Sequence, residues 1–97
     1  MSVQASRREE TSLCCSLTYR SISETEASAG EGVCLTGSEI RFHGRSPLNI
    51  GVAAEVCIEA VRGLSPPLKV YIEVARCEDA EADGYLLTGL IKGIRSL

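Results

Sequence analysis

Apolar and polar residues alternate with a period of two along most of this chain. Leu68, Val70, Ile72 and Val74 are separated by Lys69, Tyr71 and Glu73, and Val52, Ala54, Val56, Ile58 and Ala60 face away from Glu55, Cys57 and Glu59. Successive side chains of a strand point to opposite faces, so each run offers one apolar face to a core. Shorter runs repeat the pattern: Leu13, Cys15, Leu17 and Tyr19 alternate with Cys14, Ser16 and Thr18, and Ile40 and Phe42 with Arg41 and His43. Residues 32–35 and 85–94 complete the set. The 52–61 run contains the helix formers Ala and Glu, but Val56, Ile58 and Val61 are β-branched and form no i, i+3, i+4 stripe, so a strand is expected there too.

Turn residues separate the runs. Gly37-Ser38, Gly44-Arg45-Ser46-Pro47, Asn49-Ile50-Gly51 and Gly63-Leu64-Ser65-Pro66-Pro67 each interrupt a ladder, since Pro lacks the N–H and Gly and Asn tolerate positive φ. The acidic tract 79–83 with Gly84 reads as a hairpin tip. Residues 21–31, rich in Ser, Glu, Ala and Gly, read as a mobile exposed connection or a short helical turn. Residues 1–12 are polar and charged and read as a flexible arm before a domain spanning 13–97. About six antiparallel strands close most economically into a small barrel, which protects its edges. The expected fold is all-β, a six-stranded antiparallel barrel with no long helix. Its core is expected to be lined by Ile40, Phe42, Val56, Ile58, Val70, Ile72 and Val74.

Composition narrows the function. The 97 residues suffice for one core. One Phe, three Tyr and no Trp leave few platforms for stacking bases. A formal charge of −3 with scattered cations argues against a nucleic-acid footprint. The five cysteines are an odd number and contain no C-x-x-C, and the polar N-terminal stretch has no apolar leader segment, which points to a reduced, cytoplasmic protein. No apolar run approaches the roughly 20 residues of a membrane-spanning helix.

Cys34 or Cys57 with His43 would supply a thiol and a base, but a free Cys is most often simply buried. Glu78, Asp79, Glu81 and Asp83 lack the Gly and bidentate Glu of a calcium loop and read as a solvated turn. No Gly-rich phosphate loop precedes a helix. No catalytic or metal-binding residue is therefore assigned, and no enzymatic activity is expected. Arg7-Arg8 is a different matter, because paired guanidinium groups on an arm can close over a phosphate through bidentate, charge-assisted hydrogen bonds; the alternative is an ordinary solvated tail.

Taken together, the arginine-bearing arm, the run Leu35-Thr36-Gly37-Ser38-Glu39-Ile40-Arg41-Phe42, the turn Pro47-Leu48-Asn49-Ile50-Gly51 and the segment Val74-Ala75-Arg76-Cys77 resemble the PilZ domain over nearly the whole chain. PilZ domains are bacterial six-stranded barrels that bind cyclic di-GMP through an R-x-x-x-R arm and a D/N-x-S-x-x-G motif. On this resemblance Arg7 matches the first arginine and Thr11 stands at the second. Cys34 replaces the Asp or Asn, Thr36 supplies the hydroxyl, and Glu39 replaces the Gly. Both motifs are degenerate, and each lost charge-assisted contact costs on the order of 1.5–3 kcal/mol. The resemblance leaves Arg7, Arg8 and Thr36 as ligand-binding candidates. It implies a signalling adaptor in the cyclic di-GMP pathway that works through a protein partner, with no resident cofactor and with binding of cyclic di-GMP weak or absent. The alternative is a small Sm-like or OB-like barrel that binds RNA or forms a homo-oligomer through its strand edges.

Overall fold

The computed structural model describes residues 11–12, 16–59, 67–80 and 84–96, and every regular element among them is a strand. These are β1 (Thr11–Ser12), β2 (Ser16–Ser21), β3 (Ser28–Leu35), β4 (Glu39–Gly44), β5 (Ala53–Ile58), β6 (Leu68–Ala80) and β7 (Gly84–Ser96). Six of them follow one another around the sheet in the order β3-β2-β5-β6-β7-β4, and β4 returns to β3. All pairings are antiparallel. The chain is therefore an all-β, closed six-stranded antiparallel barrel, with β1 as an extra strand on β3.

The alternating apolar face of each strand fills the barrel. Ile40, Phe42, Val56, Ile58, Val70, Ile72 and Val74 are all buried, and Leu17, Tyr19, Ala54 and Leu87 complete the cluster. Burying a side chain of this size stabilises the fold by about 1.5–3 kcal/mol. Tyr19 sits at one end of this core, its ring centroid 5.0 Å from that of Phe42 and tilted by 58°. Its hydroxyl donates to the Ser46 carbonyl at 2.6 Å and accepts the Ser46 N–H at 2.8 Å. Burial raises the Tyr19 pKa above its ordinary value, against an opposing pull from the hydrogen bonds of Ser46 and Ser28. A Cβ on Gly44 would overlap the Tyr19 ring, so the absence of a side chain there makes room for it.

Several boundaries differ from the sequence pattern. The exposed connection expected over 21–31 is confined to residues 22–27, because β3 starts at Ser28. Ala29, Gly30 and Glu31 pair with β2, and Gly30 and Glu31 also with β4, so two ladders hold a segment with little strand propensity of its own. The expected acidic tip begins later than residue 79, since Asp79 and Ala80 are still paired with Tyr85 and Gly84. Of the strand expected over 13–19, residues 16–19 are described and belong to β2. Ahead of it, Thr11 pairs with Leu35 and Ser12 with Cys34 as β1. Thr11 and Ser12, the last residues of the expected arm, are thus part of the ladder. Residues 1–10, Leu13, Cys15, Ala60, the 63–66 breaker and the tip 81–83 lie outside the described residues.

Candidate functional site

The β3–β4 hairpin carries the positions that the sequence singles out. Its turn is built around Thr36, whose N–H donates to the Glu39 carbonyl at 2.9 Å. The Thr36 hydroxyl oxygen accepts the N–H of Ser38 at 3.2 Å and of Glu39 at 3.0 Å, and lies 3.4 Å from the Glu39 carbonyl. This is the local side-chain-to-backbone bonding by which Ser and Thr favour turns. The half-buried hydroxyl is engaged in folding its own turn.

Cys34 pairs across the hairpin with Arg41, just past a bulge between Gly32 and Cys34. It is buried, at 7% exposure, and the Arg41 guanidinium donates to its sulfur at 3.4 Å. Glu39 is half-buried opposite Leu90 of β7. On the other side of β3, Thr11 pairs with Leu35 and Ser12 with Cys34. β1 therefore lies beside Cys34 and Leu35, next to the turn that contains Thr36. Arg7 and Arg8 lie outside the described residues. Arg7 precedes Thr11 by four positions, a span of at most about 14 Å of extended chain.

The sequence pattern contained Thr36, Cys34 and Glu39 but missed Arg41 as the neighbour of Cys34. The signal for it was the turn Thr36-Gly37-Ser38, since the turn length of a hairpin dictates which residues face each other across it. The possible thiol–base pairs are not brought together. His43 is exposed and opposite Glu31, three residues along β3 from Cys34, or about 10 Å at the usual strand rise. Cys57 pairs with Thr18 and Lys69, on strands that are not neighbours of β4. Among the described residues no group of three or more His, Cys, Asp or Glu is arranged to hold a metal ion, and no helix is long and apolar enough to cross a membrane.

An open cleft of about 750 Å³ lies at the far end of β4 from this turn, where Leu17, Gly30, His43, Arg45, Glu59 and Tyr85 line it. Its charges are of mixed sign, and neither Thr36 nor Cys34 reaches it. Comparison of the chain with protein-family models, with curated proteins and with solved structures finds no match.

Proposed function

We propose that the chain is a PilZ-like, non-enzymatic signalling module of the cyclic di-GMP pathway, acting through a protein partner in the cytoplasm, with binding of cyclic di-GMP weak or absent. The observation that carries this reading is the pairing of Thr11–Ser12 with Cys34–Leu35. That pairing brings Thr11 and Ser12, which follow Arg7 and Arg8 in the sequence, beside the hairpin that resembles the ligand motif. The chemistry at that hairpin is what supports a partner over the nucleotide. The Thr36 hydroxyl is engaged in its turn, Cys34 is a buried thiol where the motif has a carboxylate or amide, and Glu39 puts a carboxylate where an anionic ligand would approach. The thiols of Cys34, Cys57 and Cys77 are free, which fits a reducing compartment.

Calorimetric titration with cyclic di-GMP tests the reading. The protein is expected to bind more weakly than about 10 µM. Combining Thr11→Arg, Cys34→Asp and Glu39→Gly is expected to restore binding, with the carboxylate introduced in place of the Cys34 thiol lying within reach of the Arg41 guanidinium that now donates to sulfur. A folded triple variant that binds nothing would sink the PilZ-like reading. Submicromolar binding by the unmodified chain would sink the partner-only role, and tight binding of an oligonucleotide in a parallel titration would favour the RNA-binding barrel.

A further inference from the structure

The β6–β7 ribbon has, near each of its ends, a backbone edge with no strand partner among the described residues. β6 pairs with β5 from Leu68 to Glu73. Val74 is then held by the β4–β5 turn: its N–H donates to the Val52 carbonyl at 2.9 Å, and its carbonyl accepts the Gly51 N–H at 2.7 Å. From Ala75 to Ala80 that side of β6 has no strand partner among the described residues. β7 pairs with β4 from Tyr85 to Leu90, and the Ile91 N–H donates to the Ser38 carbonyl at 2.8 Å. From Lys92 to Ser96 the outer side of β7 has no strand partner among the described residues. The two open edges are of similar length, on opposite sides and at opposite ends of one ribbon, and neither contains the Pro that would blunt it.

Their charges are opposite. Residues 75–83 carry Arg76 against Glu78, Asp79, Glu81 and Asp83, whereas residues 92–96 carry Lys92 and Arg95 and no acid. At the basic end Arg95 lies directly across from Lys69, a like-charged pair that is unfavourable in isolation. Lys92 is 3.5 Å from Glu73, while Arg95 makes no ion pair among the described residues. Beside these cations Ile94 is 51% exposed and Leu90 37%. Among the described residues, a guanidinium outside any ion pair, the exposed Ile94 and backbone groups without a strand partner therefore coincide on one edge. The complementary acidic edge belongs to the same chain.

We propose that this protein self-associates head to tail, the open β6 edge of one copy (residues 75–80) pairing with the open β7 edge of the next (residues 92–96). The new ladder pairs backbone groups of both edges and brings the acidic end with Glu78 and Asp79 to the basic end with Lys92 and Arg95. Because the two edges differ, the contact is heterologous and builds rings or open chains rather than a two-fold dimer. The assembly goes beyond the adaptor role proposed above and does not depend on cyclic di-GMP.

Sedimentation velocity on the full chain, from about 10 µM to about 1 mM, tests it over the range in which a short interface assembles. The expected result is a concentration-dependent rise past dimer that weakens at least about tenfold in about 1 M salt, where charges are screened beyond about 3 Å. Lys92→Glu with Arg95→Glu makes both edges acidic, and Glu78→Lys with Asp79→Lys makes both basic. Each double variant is expected to be monomeric alone, and an equimolar mixture is expected to associate again. Independently of any variant, amide exchange at 75–80 and 92–96 is expected to slow as the wild-type concentration rises. A wild type monomeric throughout, a closed dimer indifferent to charge reversal, or exchange at both edges unchanged with concentration would overturn the proposal.

Discussion

The β5–β6 wall and the β3–β4 hairpin lie in the same barrel and are held in place by different means. Along β5–β6 six consecutive pairs run from Ala53↔Glu73 to Ile58↔Leu68 without a bulge. Ala54, Val56, Ile58, Val70 and Ile72 point inward and are buried. Outside, Glu55 accepts from Arg20 at 3.3 Å and lies 3.6 Å from Lys69. Large side chains position this wall. In the hairpin, β3 brings Gly30 and Gly32 to the interior register and breaks step between Gly32 and Cys34. A Cβ on Gly30 would run into the His43 carbonyl and crowd the side chains of Leu17 and Tyr19. Small residues and a turn position the hairpin, so the two regions have opposite sensitivities: the wall to losing volume, the hairpin to gaining it.

The largest expected effect is on the wall. Ile72→Ala removes a buried side chain and is expected to cost about 2–5 kcal/mol. Lys69→Ala, on the outer face of the same strand, loses only a partly exposed ion pair and is expected to cost below about 1 kcal/mol. Urea melts that give the two variants the same midpoint would break the distinction between faces.

Next comes the gain of volume. Gly44→Ala drives a methyl group into the Tyr19 ring and is expected to cost about 1–3 kcal/mol by overpacking. Ala53→Val on the exposed side of β5 is expected to be nearly neutral. If both are neutral in thermal melts, the hairpin is not held by close approach.

Tyr19→Phe keeps the ring and leaves the Ser46 N–H and carbonyl without their partner, at an expected cost of about 1–2 kcal/mol. The same residue gives the fold a pH dependence. Its folded pKa lies above the ordinary value of 10.0, chiefly through burial, so the folded chain retains a proton that the unfolded chain releases. That contribution is complete below the unfolded pKa and is lost as pH rises through the folded one. Stability is therefore expected to fall above pH 10.0, with a shallower alkaline limb in Tyr19→Phe. An unchanged limb would separate the hydroxyl from the pH response.

The smallest expected effect is in the turn. Thr36→Ala removes the acceptor for the Ser38 and Glu39 N–H groups and is expected to cost about 0.5–1.5 kcal/mol. Cyclic di-GMP titrations of this variant and the wild type are expected to look alike. A loss of binding caused by Thr36→Ala would give the hydroxyl a ligand role beyond its turn.

The same contrast marks what could be read in advance. Alternation in 40–42, 52–58 and 68–74 identified core residues correctly because two-residue periodicity belongs to each strand separately. Leu17, Tyr19 and Leu87 also lie in the core, and the runs that contain them, 13–19 and 85–94, read as strands in the sequence, although none of the three is among the residues expected to line it. At the candidate site the residue types of Thr36, Cys34 and Glu39 were legible. The contact of Cys34 with Arg41 was not, since it depends on the hairpin register and on the bulge between Gly32 and Cys34.

Residue types and their spacing determined by themselves that this chain is all-β, where most strands lie and which face of each is apolar, because those properties come from nearest neighbours along the backbone. Closure was decided only by the tertiary structure. Gly30 pairs with Leu17 on one side and Gly44 on the other, and β4 meets β7 more than forty residues later in the chain. Such contacts depend on which distant edges meet, on the loop entropy lost in joining them and on the ladder bonds gained. A local pattern does not contain those quantities. For the same reason, the Ser28–Leu35 strand, the pairing of Thr11–Ser12 beside Cys34–Leu35 and the two open ends of the β6–β7 ribbon emerge only once the barrel is closed.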